Sequence, residues 1–255
     1  PPMISAMHVG AEEATKSIAF VHGILGRGSN WRTVARRFVA ARPKYAATLI
    51  DLRLHGDSRE GFAPPDTIEA CANDLRALPA PNAIVGHSFG SKVALTWSSE
   101  AGSPPVFVID ATPGPRPSRE GSESVLGVLD ALRATEGKGY AHRRDFVADL
   151  GERGVARPVG MWLAMNLRED EGTYRFGIEL DRIDALLADY FEVDCWGAFH
   201  DGCHLVAGGA SPAVSSSDQA TAANLGTLHV IEGAGHWVHV DAQDALVEYL
   251  AEYVP

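Results

Sequence analysis

Short apolar runs alternate along this chain with longer stretches in which apolar residues recur every three or four positions. Each run is apolar at successive positions, which predicts a strand that is buried on both faces of a sheet. The longer stretches have the spacing of amphipathic helices. The predicted strands cover residues 17–22, 46–52, 82–87, 105–110, 203–207 and 227–231. This alternation predicts an α/β fold that has a mostly parallel sheet with helices on both faces.

The alternation stops after the predicted strand that ends at Asp110. Residues 111–117 contain three prolines, so they can form neither a helix interior nor a central strand. Residues 118–200 then show four apolar stripes at helical spacing and no clear strand. We therefore predict a core domain of residues 1–112 and 201–255, with a helical cap of residues 113–200 inserted into it.

Composition narrows the class of protein. The chain has 255 residues, 45% of them hydrophobic, which is enough for one large domain with a sizeable core. Its formal net charge of −11 argues against nucleic acid or an anionic membrane as a partner. The three cysteines form no CxxC motif and indicate neither a disulfide framework nor a zinc site. No apolar run approaches the roughly 20 residues of a membrane span, and the first residues lack the features of a signal peptide, so we predict a cytoplasmic protein.

The segment Gly86-His-Ser-Phe-Gly90 fits the pattern G-x-S-x-G. A predicted strand precedes it, and a stretch with helical spacing follows. In that setting the serine lies at the tip of a sharp turn in a strained backbone conformation. The two glycines leave room for the neighbouring chain to pass close by. The pattern predicts that Ser88 is a reactive serine.

Two further motifs extend this prediction. His22-Gly-Ile-Leu-Gly26 follows the first predicted strand, and Gly233-Ala-Gly-His-Trp237 follows the last one. Together, and in this order, the three motifs resemble those of the α/β-hydrolases, and the resemblance runs nearly from end to end. It implies an α/β-hydrolase fold, a small-molecule substrate, and no cofactor or metal.

The resemblance also implies roles for individual residues. Ser88 would be the nucleophile, and His236 would be the base that takes its proton. The backbone N–H groups of Ile24 and Phe89 would form the oxyanion hole.

The motifs do not identify the residue whose carboxylate would orient His236. In most of the family it follows the strand after the insertion, where this chain carries Ser211. A serine cannot orient and stabilise an imidazolium as a carboxylate does. Two substitutes remain. Asp110 ends the preceding strand on the same edge of the sheet as Ser88, and Asp218 lies farther along the later loop.

Three segments, residues 51–58, 108–113 and 208–212, resemble one branch of the family, the YbfF-like esterases and their ABHD11-like relatives. In YbfF-like members the acid ends the earlier strand, which implies Asp110 and leaves Asp218 as the alternative. The chain departs from this branch at Ala213, where an aromatic residue is usual.

The cap is expected to form the substrate pocket. Trp162, Met165 and Phe191 in the cap and Trp237 beside the base are candidates to line it, and ordinary core packing is the alternative for each. The polar residues within 51–58 are expected to form a hydrogen-bonded turn, with a metal site as the alternative.

These observations favour a serine hydrolase that cleaves a small ester or thioester through an acyl-enzyme without a cofactor. Two other classes remain open. The same constellation serves cofactor-free perhydrolases (haloperoxidases) and C–C bond hydrolases. The fold also serves as a non-catalytic receptor for small molecules.

Overall fold

The computed structural model describes residues 3–255. The strands of this part of the chain are β1 Ala6–Val9, β2 Lys16–Val21, β3 Tyr45–Ile50, β4 Ala83–His87, β5 Val106–Ile109, β6 Leu167–Asp170, β7 Thr173–Phe176, β8 His204–Gly208 and β9 Thr227–Ile231. Seven of them form a central sheet in the order β1-β3-β2-β4-β5-β8-β9, and β6 and β7 form a separate hairpin. Neighbouring strands of the central sheet are parallel except β1, which runs antiparallel to β3. The predicted mostly parallel sheet is confirmed.

The edge strand β1 was not predicted from the sequence. Its four residues are half-buried or exposed, so they do not form the apolar run that marks the inner strands.

Helices cover both faces of the sheet. They are α1 Arg32–Ala41, α2 Ile68–Leu75, α3 Phe89–Glu100, α4 Glu123–Arg133, α5 Arg143–Glu152, α6 Arg157–Leu163, α7 Leu180–Glu192, α8 Ser216–Leu225, α9 Val238–Asp241 and α10 Gln243–Tyr253. Successive side chains of a strand point to opposite faces, and both faces are apolar here. In β2, Ile18 and Phe20 join the apolar cluster of α1 and α10, whereas Ala19 and Val21 join that of α2 and α3.

The segment predicted as a cap, residues 113–200, contains α4 to α7 and also the hairpin β6–β7. The expectation that this segment lacks strands was therefore wrong. β6 reads Leu-Arg-Glu-Asp and is mostly exposed, so it carries no apolar signal. The two residues that join the strands, Glu171 and Gly172, both have positive φ, as a type I′ hairpin turn requires. The third apolar stripe, Trp162, Leu163, Met165 and Leu167, is not one helix: α6 ends at Leu163, a 3₁₀ turn covers Ala164–Asn166, and β6 begins at Leu167.

Buried polar contacts join this segment to the core. Arg182 of α7 pairs with Asp66 at 2.7 Å, and Asp66 also pairs with Arg53 at 3.2 Å. Asp189 of α7 accepts a hydrogen bond of 2.7 Å from the backbone N–H of Ile68, the first residue of α2. The helices of the segment share one apolar cluster with the α2 and α3 face of the sheet. These contacts hold the cap segment in a defined position against the sheet.

Within residues 3–255, every helix is too short or too polar to cross a membrane.

Candidate active site

Ser88 stands at the turn between β4 and α3. Its backbone has φ of 52° and ψ of −122°, a conformation that a residue with a side chain rarely adopts. A Cβ on Gly86 would lie 2.6 Å from the carbonyl oxygen of Gly90, and a Cβ on Gly90 would overlap the carbonyl oxygen of His22. Both glycines are therefore required by close approach of the chain, as the sequence pattern predicts.

A chain of hydrogen bonds joins Ser88 to a carboxylate. His236 Nε2 lies 3.1 Å from Ser88 Oγ, and His236 Nδ1 lies 2.7 Å from Asp110 Oδ2. Because a carboxylate only accepts, Nδ1 carries the proton and Nε2 is free to accept from the serine hydroxyl. This is the tautomer that a general base needs.

Asp110 is fully buried at the end of β5 and has a positive φ of 49°. It accepts three hydrogen bonds: from His236, from the backbone N–H of Gly208 at 2.9 Å, and from Ser211 Oγ at 2.6 Å. Ser211, which occupies the usual position of the acid, thus donates its hydroxyl to the carboxylate that lies on the neighbouring strand. Gly208 permits this arrangement, since a Cβ there would overlap the carbonyl oxygen of Gly235 in the His236 loop.

The alternative acid lies elsewhere. Asp218 is in the first turn of α8, where its carboxylate lies 3.7 Å from the guanidinium of Arg116. The contact that His236 makes with a carboxylate is the one with Asp110. The geometry therefore favours Asp110 over Asp218.

The loop after β2 lies beside the serine. A Cβ on Gly23 would be 3.5 Å from Ser88 Cβ. The next residue, Ile24, and the first residue of α3, Phe89, both offer backbone N–H groups that bind no acceptor within residues 3–255. The first N–H groups of a helix have no intrahelical partner, and the helix dipole favours negative charge there. The two predicted oxyanion donors thus belong to segments next to Ser88, and neither binds an acceptor among the described residues.

Two buried histidines hold this loop. His55 Nε2 accepts from the N–H of Leu25 at 3.0 Å, and His22 Nε2 accepts from the N–H of Leu52 at 3.0 Å. Each ring donates its Nδ1 hydrogen to a backbone carbonyl. Burial lowers the pKa of His22 to about 4 and that of His55 to about 3, so both rings are neutral structural groups at pH 7.

His87 and His239 pack next to the loop that carries His236. His87 Nε2 donates to the backbone carbonyl of His236 at 2.8 Å, and its ring packs against His239, which packs in turn against Trp31. Burial lowers the pKa of His239 to about 4 and that of His87 well below its usual value. Neither ring faces Ser88 as His236 does.

The polar cluster after β3 is a hydrogen-bonded turn. The Asp51 carboxylate accepts from the N–H groups of Gly28 at 2.6 Å and Asp57 at 2.8 Å. Within the part of the chain that the structure describes, no three histidine, cysteine or acidic side chains are grouped so that they could hold a metal ion.

Of the four predicted pocket residues, three are half-buried or exposed, and Phe191 alone is buried in the core. The rings of Trp162 and Trp237 lie 5.2 Å apart, so they join the cap segment to the loop that carries His236. Met165 is 41% exposed. Phe191 is buried in the core, where its ring lies against the guanidinium of Arg119.

Tyr190, which was not predicted as a site residue, lies beside the turn that carries the nucleophile: its ring packs against that of Phe89, with the ring centroids 5.7 Å apart. Burial raises the pKa of its phenol to about 12, so the hydroxyl is protonated at neutral pH. In the sequence Tyr190 continues an apolar stripe of α7, and that spacing indicates only a core-facing residue.

Comparisons with known proteins bear on the family and the fold. The sequence profile of the Alpha/beta hydrolase family matches residues 18–249. The chain is 28% identical to the sn-1-specific diacylglycerol lipase ABHD11 of Danio rerio over 236 residues, which cover 88% of this chain and 74% of that protein. It is 26% identical to esterase YbfF of Escherichia coli strain K12 over 250 residues, which cover 93% of this chain and 92% of that protein.

Solved structures show the same fold. A marine microorganism esterase superposes with a TM-score of 0.82 at 22% identity, covering 99% of this chain and all of that one. E-2-(acetamidomethylene)succinate hydrolase superposes with a TM-score of 0.73 at 18% identity, covering 98% of this chain and 94% of that one.

Proposed function

Since this chain belongs to the alpha/beta hydrolase family, we propose that it is a serine hydrolase that cleaves a small carboxylic ester or thioester. The observation that carries the proposal is the hydrogen-bonded series Ser88–His236–Asp110 at the carboxyl ends of the strands. The esterase and lipase activities named for its relatives support the same substrate class.

The geometry suggests how the reaction proceeds. As Ser88 Oγ attacks the ester carbonyl, His236 Nε2 takes the serine proton, and the negative charge that forms on the carbonyl oxygen is stabilised by the N–H groups of Ile24 and Phe89. His236 then gives the proton to the departing alcohol or thiol, which leaves an acyl-enzyme. A water that loses its proton to His236 attacks the acyl group, and the acid is released as Ser88 regains its proton.

Asp110 acts through His236. Its buried carboxylate keeps the proton on Nδ1 and stabilises the imidazolium that forms in each step. The chemistry uses side chains and backbone of this chain alone. We assign residues 113–200 the role of a cap that shapes the pocket, with Trp162 and Trp237 at the junction between the cap and the histidine loop.

The test is covalent labelling combined with turnover. We expect wild-type protein to react with a fluorophosphonate probe at Ser88 and to hydrolyse p-nitrophenyl acetate, and we expect Ser88→Ala to do neither while it stays folded. A folded wild-type protein that neither labels nor turns over would contradict the hydrolase proposal and favour a receptor. Peracid formation from acetate and peroxide, measured on the same protein, tests the perhydrolase alternative.

A further inference from the structure

A side chain of the cap segment holds the loop that follows β2. Asn166 lies in the 3₁₀ turn just before β6 and is 2% exposed. Its Nδ2 donates a hydrogen bond of 2.9 Å to the carbonyl oxygen of Leu25, a residue 141 positions away in the chain. This contact joins the cap directly to the loop that carries Ile24, whose N–H is one of the proposed oxyanion donors.

Two peptide groups connect this contact with the Ile24 N–H. Both are trans and planar, so the C=O and N–H of each point in opposite directions. The first joins Leu25 to Gly26: its C=O accepts from Asn166, and its N–H donates to the carbonyl oxygen of Gly23 at 3.0 Å. The second joins Gly23 to Ile24 and ends in the Ile24 N–H, which binds no acceptor among the described residues. A head-to-tail series of three amide groups thus runs from the cap to the proposed oxyanion hole.

The loop depends on contacts from outside to keep this shape. Leu25 has a φ of 64°, in the left-handed region that residues with a side chain rarely adopt. Such a conformation persists where the surrounding structure fixes it. Here His55 accepts from the N–H of Leu25 on the core side, and Asn166 donates to its C=O on the cap side. Rotation of the Leu25 backbone would therefore break two buried hydrogen bonds.

Packing alone does not account for an asparagine at position 166. Its Oδ1 is buried and has no hydrogen-bond partner within residues 3–255. An unpaired buried polar atom lowers stability, whereas a leucine of similar shape would carry none. The group that a leucine lacks is the donor Nδ2. The backbone of Asn166 is held in turn by the hairpin, since its carbonyl oxygen accepts from the N–H of Gly177 at 3.1 Å, directly after β7.

We propose that Asn166 is a positioning residue of the oxyanion hole, which acts on the Ile24 N–H through the peptide groups of Leu25 and Gly23. This inference rests on the proposed serine hydrolase function. The hydrogen-bonded series fixes the direction of the Ile24 N–H before the substrate arrives. Because hydrogen bonds in series polarise one another, it also strengthens the bond that this N–H donates as negative charge forms on the ester oxygen.

The variant that tests this role is Asn166→Leu, which keeps the approximate shape and removes the donor. Thr135→Val is the matched control, because Thr135 is also a cap residue, is also 2% exposed and donates to a backbone carbonyl, that of Leu132 at 2.7 Å. We expect Asn166→Leu to lower the kcat for p-nitrophenyl acetate by about five- to thirtyfold, less than the roughly 10²-fold or more that follows loss of an oxyanion donor itself. Its KM is expected to stay within about twofold, and the control is expected to change neither constant by more than about twofold.

Rates are expressed per active site titrated with the fluorophosphonate probe, so that unfolded protein does not contribute. Asn166→Ala, a second variant that removes the donor without adding an apolar side chain, is expected to lower kcat in the same way. A kcat within about twofold of the wild type in both variants would overturn the inference. A rise in KM at unchanged kcat would do the same, and so would an equal loss of kcat in Thr135→Val, since that loss would come from general loosening of the cap.

Hydrogen exchange tests the series without turnover. In Asn166→Leu, we expect the amide hydrogens of Leu25 and Gly26 to exchange at least about threefold faster, as when one buried hydrogen bond is lost, and we expect no change in Thr135→Val. Unchanged exchange at both amides in Asn166→Leu would refute the positioning role. Failure of the proposed function is a different result, because the wild-type protein itself would then not label at Ser88.

Discussion

The assignment of Asp110 as the acid can be tested by one substitution, Asp110→Asn. The side chain keeps its shape but exchanges one oxygen for an NH₂ group, in a place where every neighbour donates. Oδ2 accepts from His236 Nδ1 at 2.7 Å and from Ser211 Oγ at 2.6 Å, and Oδ1 accepts from the N–H of Gly208 at 2.9 Å. An asparagine has one oxygen, so it can accept either from His236 and Ser211 or from Gly208, but not from both sides.

Each orientation of the amide has a cost. If its NH₂ faces His236, the imidazole must adopt the tautomer with the proton on Nε2, which cannot accept the proton of Ser88. If its NH₂ faces Gly208, two donors meet in a fully buried position, at a cost of about 1–3 kcal/mol, and the imidazolium still lacks a negative charge beside it. In serine proteases the same change lowers kcat by about 10⁴, which corresponds to roughly 5.5 kcal/mol. We expect a loss of about 10³- to 10⁴-fold here.

The assay is kcat for p-nitrophenyl acetate, with Asp218→Asn as the matched control. Asp218 pairs with Arg116 at a partly exposed position, so its loss is expected to leave kcat within about twofold. Circular dichroism and thermal melting establish that each variant is folded. An Asp110→Asn variant within about threefold of the wild type, or a severe loss in Asp218→Asn, would refute the reasoning.

Two further predictions concern stability. Gly90→Ala is expected to lower the free energy of unfolding by about 2 kcal/mol or more, because the added Cβ would overlap the His22 carbonyl oxygen. Gly127→Ala on α4, with open space around it, is the control and is expected to be neutral or stabilising. Urea midpoints compare the two variants, and equal effects would contradict the close-approach argument. The pKa values of His22 and His55 lie at about 4 and 3 in the folded protein, against 6.5 in the unfolded chain, so the unfolded chain binds more protons as the pH falls below 6.5. The free energy of unfolding is therefore expected to fall by about 2 kcal/mol for each ring between pH 7 and pH 5, and a urea midpoint that does not change between those pH values would be inconsistent with buried neutral histidines.

The elements that the sequence predicts best are those whose signal is local. Inner strands are apolar at successive positions because both faces are covered, and the motif around Ser88 carries its glycines where the backbone passes closest. The edge strand β1 and the hairpin β6–β7 lack this signal because their side chains are half-buried or exposed. The sequence limits the acid to two aspartates, but spacing alone does not choose between them, since Ser211 and Asp110 follow two strands, β8 and β5, that only the sheet brings together.

Tyr190 shows why the cap side of the site resists prediction. Its spacing from Ile183, Leu186 and Leu187 is that of a core-facing position, and three of the four residues are buried as the stripe predicts. Which residue of the stripe lies beside Phe89 depends on how α7 is placed, and that depends on contacts distant in sequence, such as those of Lys92 with Tyr190 and of Arg182 with Asp66. The sequence signal that could have indicated the placement of α7 is the charge at position 92, one turn after Ser88 in a helix that is buried over most of its length. A buried lysine requires acceptors, and here they are the carbonyl oxygens of Gly114, Tyr190 and Val193, all of which lie in the segment predicted as the cap.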